Sequence, residues 1–142
     1  MPQVTFYQLP DAQRAGQEVA CSLIADAYAA KQRVVVLCED KTQAEALDDL
    51  LWQLPAKRFV PHNMNGEGPS AGTPVEICWA PEQVSRRHLL VNLSNAMPDA
   101  IGQYQYIIDF VPGEENAKQA ARVRYKQFQQ AGCQMKFQSA QS

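Results

Sequence analysis

The chain has 142 residues, 46% of them hydrophobic and 20% charged, and a formal net charge of −2. This composition is ordinary for a globular protein and predicts a single domain over residues 1–142, with a core of its own and frayed last residues. No apolar run approaches the roughly 20 residues of a membrane span, and the N-terminus lacks a basic-then-apolar signal sequence, so we expect a cytoplasmic protein.

Strand and helix patterns alternate in the first half of the chain. The expected elements are a strand at 4–9, a helix that begins at Pro10-Asp11, a strand at 33–38 and a helix that begins at Asp40. The strand at 33–38 is continuously apolar, which is typical of a strand covered on both faces. Asp40 with Gln43 resembles a capping box. The helix that follows carries leucines on one stripe, namely Leu47, Leu51 and Leu54.

The second half continues the alternation after a loop. The expected elements are a loop at 61–74, strands at 75–78 and 88–93, a short turn or helix at 97–101, a strand at 104–111, a helix at 114–131 and an edge strand at 134–137. Gly132 is a natural C-terminal stop for the last helix. Strands that alternate with helices imply right-handed crossovers and a mostly parallel sheet. We therefore predict a single three-layer α/β domain of Rossmann-like organisation.

The phosphate-binding signatures of such folds are missing. The turn after the first strand has no glycine, and two acids, Glu39 and Asp40, follow the second strand where a phosphate needs backbone amides. The glycine-rich loop at 66–69 carries an acid and a proline, so a conformational turn is favoured over a ligand loop. We expect no nucleotide cofactor.

The residue types that carry catalysis or bind metals are also scattered. Neither His62 nor His88 has a nucleophile at a recognisable spacing. The cysteines are far apart and lie in apolar stretches, which favours four buried free thiols over zinc or disulfides; they are Cys21, Cys38, Cys78 and Cys133. We expect neither a metal site nor an enzyme.

The helix predicted at 114–131 has two distinct faces. Its sheet-facing arc consists of Ala117, Ala120, Ala121, Phe128 and Ala131. A second arc consists of Lys118, Arg122, Tyr125, Lys126 and Gln129. From residue 111 onward five bases face two acids. The second arc is either a solvated face or a small site for an anionic group with an apolar part, and such a site suits a specific acidic partner better than non-specific DNA binding.

Three further residues or pairs are left with two readings each. Trp52 points off the leucine stripe of its helix, and Phe59-Val60-Pro61 follows, so the tryptophan is either covered by this loop or offered to a partner. Arg124 projects into the apolar arc of the last helix and must either snorkel or find an acid such as Asp109. Arg86-Arg87 is either a solvated turn or a contact with a partner.

Several short motifs, in order along the chain, resemble one known family. The segments are Thr5-Phe6-Tyr7, Cys38-Glu39-Asp40, 47–52, 59–63, 66–69, 74–77, 109–112 and the run from Lys118 to Gly132. Together they resemble the chi subunit of bacterial DNA polymerase III over nearly the whole chain. Each motif is weak alone, but the ordered combination is specific.

The resemblance implies a non-catalytic accessory subunit of the clamp-loader complex. In that family chi pairs with the psi subunit and binds the acidic C-terminal tail of single-stranded DNA-binding protein, so contact with DNA is mainly indirect. The tail-binding residues carry over onto Val111, Lys118, Arg122, Tyr125 and Lys126. The psi-facing residues carry over onto Trp52, Phe59 and Pro61, a surface that the family also uses for a helicase-like repair protein.

Two other functions compete with this adaptor role. One is an enzyme with a degenerate nucleotide site. The other is direct binding of single-stranded DNA, which needs several exposed aromatic side chains along a basic groove, and Tyr125 is the one aromatic that the sequence offers there.

Overall fold

The structure is a computed structural model that describes residues 1–10, 15–56, 58–69 and 72–140. Its strands are Gln3–Gln8 (β1), Val34–Leu37 (β2), His62–Met64 (β3), Val75–Cys78 (β4), Leu89–Asn92 (β5), Tyr106–Val111 (β6) and Gln134–Ser139 (β7). Its helices are Ala15–Ala29 (α1), Lys41–Leu51 (α2) and Glu115–Gln130 (α3), and single 3-10 turns are formed by Pro81–Gln83 and Ile101–Gln103.

The seven strands form one sheet in the order β3-β4-β2-β5-β6-β1-β7. Every neighbouring pair is parallel, so the predicted α/β class with a mostly parallel sheet is confirmed. β3 and β7 are the two edges of the sheet. The first strand of the chain therefore lies near one edge, between β6 and the last strand.

The two faces of the sheet carry separate hydrophobic cores. On β2, Val34 and Val36 pack with the buried side chains of α1 and α2. Their neighbours Val35 and Leu37 point the other way, into a core that includes Ala121 and Phe128 of α3. Because side chains alternate along a strand, a strand buried on both faces reads as a continuous apolar run, as β2 does.

The ends of α2 and α3 follow the signals in the sequence. Asp40 accepts a hydrogen bond from the Gln43 N–H at 2.8 Å, while the Gln43 side chain accepts one from the Glu39 N–H. Glu114 caps α3 by accepting from the backbone N–H groups of its first turn. The helix stops before Gly132, whose φ of 93° is in the left-handed region. The predicted start of α1 at Asp11 and the predicted frayed end at 141–142 lie outside the described residues.

Three predictions about local structure are wrong. The segment 61–74 is not all loop, because His62–Met64 pairs with β4 and buries both of its end residues. The turn predicted at 97–101 forms slightly later, at Ile101–Gln103, and β6 begins after it. Ala131 is exposed, since it is the C-cap of α3 and the helix has already left the sheet there.

Candidate functional site

The five predicted tail-binding residues line one cavity of about 540 Å³ at the β7 edge of the sheet. The cavity is bounded by Val111, the last residue of β6, and by one face of α3 that carries Lys118, Arg122, Tyr125 and Lys126. We call it the α3 cavity. The helical spacing that placed these side chains on one arc is therefore matched by their position around one concave surface.

The apolar part of the α3 cavity is held in place by the core beneath it. The Tyr125 ring lies 5.1 Å from the ring of Phe6, which is fully buried on β1. Phe137 of β7 also lines the cavity and is 53% exposed. Phe137 reaches this position because β7 pairs with β1 in a register that sets it beside Phe6.

Sequence reasoning missed Phe137 and Gln8 as wall residues of the α3 cavity. Gln8 is the last residue of β1 and pairs with Val111, so both strand ends open into the same space. A signal was present in the alternation of β7, where Met135 and Phe137 share one side. It could not be used without the knowledge that β7 lies next to β1.

The cations of the α3 cavity are only weakly neutralised. Lys118 Nζ lies 4.0 Å from Glu115 Oε2, and the Glu115 side chain is largely exposed to solvent. Arg122 and Lys126 are exposed, and within the described part of the chain no carboxylate lies within 4.0 Å of either. Two cations without a carboxylate neighbour, beside the apolar lining of Val111, Tyr125 and Phe137, can hold an anionic group whose neighbour is apolar.

Arg124 is buried and pairs with Asp109, so of its two readings the acid partner is correct. Its Nε donates to Oδ2 of the carboxylate at 2.9 Å and its Nη2 donates to Oδ1 at 3.0 Å. Asn92 donates to the same carboxylate, and Arg124 Nη1 donates to the carbonyl of Asn95. Burial raises the pKa of Asp109, and the guanidinium opposes this rise. This bidentate pair ties α3 to β6, the two elements that supply the predicted tail-binding residues.

A larger crevice of about 620 Å³ lies at the carboxyl ends of the strands, where nucleotides bind in related architectures. Its lining includes four carboxylates, those of Glu39, Asp40, Asp109 and Glu114. Asp40 and Glu114 cap the N-termini of α2 and α3. Their carboxylate oxygens accept hydrogen bonds from the backbone N–H groups that a phosphate would need. Asp109 is neutralised by Arg124, which also lines the crevice. Among the described residues no cation lies within 4.0 Å of the other three carboxylates, so the described lining disfavours a phosphate group.

The described residues include no group of three or more His, Cys, Asp or Glu side chains arranged to hold a metal ion. All four cysteines are buried, and burial raises the pKa of both Cys38 and Cys78 to about 12. A thiol with so high a pKa is not a nucleophile at neutral pH. Among the described helices none is long and apolar enough to cross a membrane.

The predicted psi-facing residues form an exposed aromatic surface at the β3 edge. Trp52 is 58% exposed and Phe59 is 66% exposed, and their ring centroids are 5.8 Å apart. The ring centroids of Trp52 and His62 are 4.4 Å apart. Pro61, which precedes His62 in the chain, is partly buried. We call Trp52, Phe59 and Pro61 the aromatic patch. The loop after α2 therefore does not cover the tryptophan but adds a second exposed ring.

His62 holds the aromatic patch from below. Its Nδ1 lies 2.7 Å from the Val60 carbonyl and its Nε2 lies 3.2 Å from the Asp48 carboxylate. Burial raises the pKa of Asp48, and the neighbouring imidazole opposes this. Both ring nitrogens have partners, so His62 supports the loop and is not available as a base or ligand.

Comparison with known proteins identifies the family. The family model described as DNA polymerase III chi subunit, HolC, matches residues 1–136. The chain is 41% identical to the DNA polymerase III subunit chi of Escherichia coli (strain K12) over 138 residues, which are 93% of this chain and 94% of that protein. It is 41% identical to the subunit chi of Haemophilus influenzae over 117 residues, which are 82% of this chain and 81% of that protein.

A more distant relative extends the same match. The subunit chi of Pseudomonas aeruginosa is 29% identical over 133 residues, which are 93% of this chain and 92% of that protein. The family model covers the five predicted tail-binding residues and the aromatic patch as well as the core, and the resemblance seen in the sequence motifs is confirmed. The chain belongs to the family of DNA polymerase III chi subunits, which serves DNA replication in bacteria.

Proposed function

We propose that this protein is a non-catalytic adaptor of the DNA polymerase III holoenzyme. It binds the acidic C-terminal tail of single-stranded DNA-binding protein in the α3 cavity and binds the psi subunit through the aromatic patch. Psi in turn links it to the clamp loader, and the complex works in the cytoplasm on coated single-stranded DNA. The mechanism uses binding energy alone, without a cofactor.

The observation that carries the proposal is the composition of the α3 cavity. Three cations stand at its rim, and two of them have no carboxylate within 4.0 Å among the described residues. An acidic peptide that ends in an apolar residue complements this arrangement, because its carboxylates meet the cations and its last side chain meets Val111, Tyr125 and Phe137.

The aromatic patch supports a second, separate partner. Exposed tryptophan and phenylalanine side chains in mutual contact are typical of the centre of a protein interface. The patch lies at the β3 edge and the α3 cavity at the β7 edge, so two partners can bind without competing. A helicase-like repair protein is a candidate to occupy the aromatic patch in place of psi.

The first prediction concerns Arg122, the central cation of the cavity. A guanidinium grips a carboxylate with two parallel hydrogen bonds, which an ammonium group cannot do. Arg122→Ala should therefore lose most of the affinity for a tail peptide, by about 2 kcal/mol or more. Lys118→Ala and Lys126→Ala should lose less and mainly reduce the dependence of affinity on salt. Calorimetric titration of the peptide at low and high salt measures both effects.

Arg122→Lys is the matched control, since it keeps the charge and removes the planar fork. It should bind the peptide more weakly than the wild type and more tightly than Arg122→Ala. Psi should still co-purify with all four variants. Wild-type peptide affinity in Arg122→Ala would place the tail elsewhere, while joint loss of peptide and psi would show a folding defect.

A further inference from the structure

A cluster of arginines at the amino ends of the strands takes no part in either proposed interface. Arg33 precedes β2, and Arg86 and Arg87 precede β5 through His88. Tyr106 is the first residue of β6, which pairs with β5. We call these five residues the arginine patch. It lies at the end of the sheet opposite to the α3 cavity, which is lined by the last residues of β1 and β6.

Two guanidinium groups of the arginine patch are held close to each other. Arg33 Nη2 donates to the Thr73 carbonyl at 3.1 Å, and Arg87 Nη1 donates to the same carbonyl at 2.6 Å. The Nη2 atoms of both arginines lie 3.4 Å from the position that a Cβ on Gly72 would take. Like charges so close raise each other's energy unless an anion lies between or beside them.

The described part of the chain does not supply that anion. Within the described part of the chain no carboxylate oxygen comes within 4.0 Å of Arg33, Arg86 or Arg87. Glu76 acts on Arg87 through its charge but makes no such contact. Burial and the charge of Arg33 lower the pKa of Arg87, the direction expected for cations that lack a counter-ion.

An exposed aromatic ring completes the arginine patch. Tyr106 is 38% exposed, and its ring lies 5.2 Å from that of His88, at an interplanar angle of 47°. The backbone N–H of Tyr106 donates to the His88 carbonyl, which fixes the two residues side by side. A ring held in this way, at the same end of the sheet as the arginines, offers a surface on which a nucleobase can stack.

We propose that the arginine patch binds the phosphodiester backbone of single-stranded DNA, with Tyr106 stacking on a base. Arginine is well suited to phosphate because its planar fork matches two phosphate oxygens. Single-stranded DNA is favoured over an acidic protein segment because its phosphates meet the arginines while an unstacked base stacks on the exposed ring, whereas a carboxylate side chain offers that ring no stacking face. The family's place in DNA replication supplies the strand.

This inference adds direct DNA contact to an adaptor whose proposed partners are proteins. The sequence offered Tyr125 alone as a stacking residue, whereas the structure brings Tyr106 to a basic surface. The two binding surfaces are separated by the length of β6, about 17 Å for six residues. A short contact of this kind supports modest affinity and guides the strand instead of replacing the protein that coats it.

The test uses the full chain and a fluorescently labelled oligodeoxythymidine of about 16 nucleotides, titrated by anisotropy at several salt concentrations. Arg33→Ala combined with Arg86→Ala should weaken binding at low salt about tenfold or more. The slope of log affinity against log salt should become shallower by about 1.4, since each lost phosphate contact contributes about 0.7 for a single strand. Arg87 is left intact because it donates to three backbone carbonyls and supports the fold.

Two controls separate this proposal from the tail site. Tyr106→Leu should weaken oligonucleotide binding about tenfold with the salt slope unchanged, because stacking releases no counter-ions. Arg122→Ala removes one cation at the α3 cavity and should keep oligonucleotide binding while it loses the tail peptide. The double arginine variant should in turn keep wild-type affinity for the tail peptide, which also confirms that it is folded.

Three results would overturn the inference. The first is that the wild-type chain does not bind the oligonucleotide at low salt. The second is equal affinity in the wild type and the double arginine variant. The third is that a polyglutamate peptide displaces the oligonucleotide from the wild type more effectively than unlabelled oligonucleotide does, which would assign the patch to an acidic protein.

Discussion

Arg124 and Asp109 form a buried ion pair in which each partner depends on the other. The carboxylate is fully buried and is satisfied by the two guanidinium contacts, by Asn92 and by the backbone N–H of Phe110. The desolvation cost of such a pair limits what it adds to stability, but loss of one partner leaves an uncompensated buried charge.

We therefore predict that Arg124→Met lowers the free energy of unfolding by about 3–5 kcal/mol. Addition of Asp109→Asn to this variant should recover part of the loss, because the amide is neutral and still accepts hydrogen bonds. Urea denaturation of both variants and the wild type at neutral pH measures the difference. A loss below about 1 kcal/mol in Arg124→Met, the range of an exposed pair, would contradict a stabilising role.

Single residues also mark the limit of what the sequence predicts. The helical arc placed Arg124 among apolar positions and named Asp109 as a candidate acid. It could not exclude snorkelling, because the choice depends on how far α3 stands from β6. Phe137 is the clearest omission from the cavity, since its position depends on pairing between the two ends of the chain.

At the scale of elements, α3 is fixed at its start by a charged cap. Glu114 is exposed and accepts hydrogen bonds from the Ala117 and Asn116 N–H groups at 2.8 and 3.0 Å. These bonds hold the pKa of Glu114 below its ordinary value of 4.5. A carboxyl with a lowered folded pKa adds stability above its unfolded pKa, and this stability is lost as pH falls through the folded pKa.

The prediction for the cap is a pH-dependent one. Glu114→Gln should lower the thermal midpoint at pH 7, and its difference from the wild type should shrink as pH falls below about 4, where the wild-type carboxyl also becomes neutral. Circular dichroism melts between these pH values test it. Glu115→Gln is the matched control in the same turn and should change the midpoint less. A difference that stays constant across the pH range would show that the charge of the cap is unimportant.

The elements that the sequence predicted best are those with a strong local signal. β2 consists of three β-branched valines and a leucine, and α3 has a cap at one end and Gly132 at the other. β3 was missed because His62-Asn63-Met64 has neither β-branched residues nor alternation. It is a strand only because β4 offers a free edge beside it, and long-range pairing of this kind is not encoded locally.

At the scale of the whole molecule, the two proposed protein interfaces lie on opposite edges of the sheet. The aromatic patch contacts β3 through His62, and the α3 cavity is walled by Phe137 of β7. Six inter-strand spacings separate these edges, roughly 29 Å. Sites so far apart with no shared side chains should behave independently.

Trp52→Ala should accordingly weaken psi binding by about 2–4 kcal/mol and leave tail-peptide affinity unchanged. The combined variant with Arg122→Ala should lose both partners, each by the amount seen in the single variants. The wild type, the two single variants and the combined variant form a double-mutant cycle. Psi pull-down and titration of the tail peptide on these four proteins measure it. Loss of peptide affinity in Trp52→Ala, with an unchanged circular dichroism spectrum, would reveal coupling between the two edges and contradict independence.

The order of the strands also constrains how the protein can fold while it is being synthesised on the ribosome. β1 is synthesised before the other six described strands, yet it lies between β6 and β7, and Gln3 pairs with Tyr106 and Gln134. At bacterial or eukaryotic translation rates, the roughly 100 residues that separate β1 from β6 take about 5 to 20 s to appear. Throughout that interval Val4 and Phe6 have no strand beside them. The domain therefore cannot close cotranslationally from its N-terminus, and a transcript cut short before β6 yields a chain whose first strand stays open to chaperones and proteases.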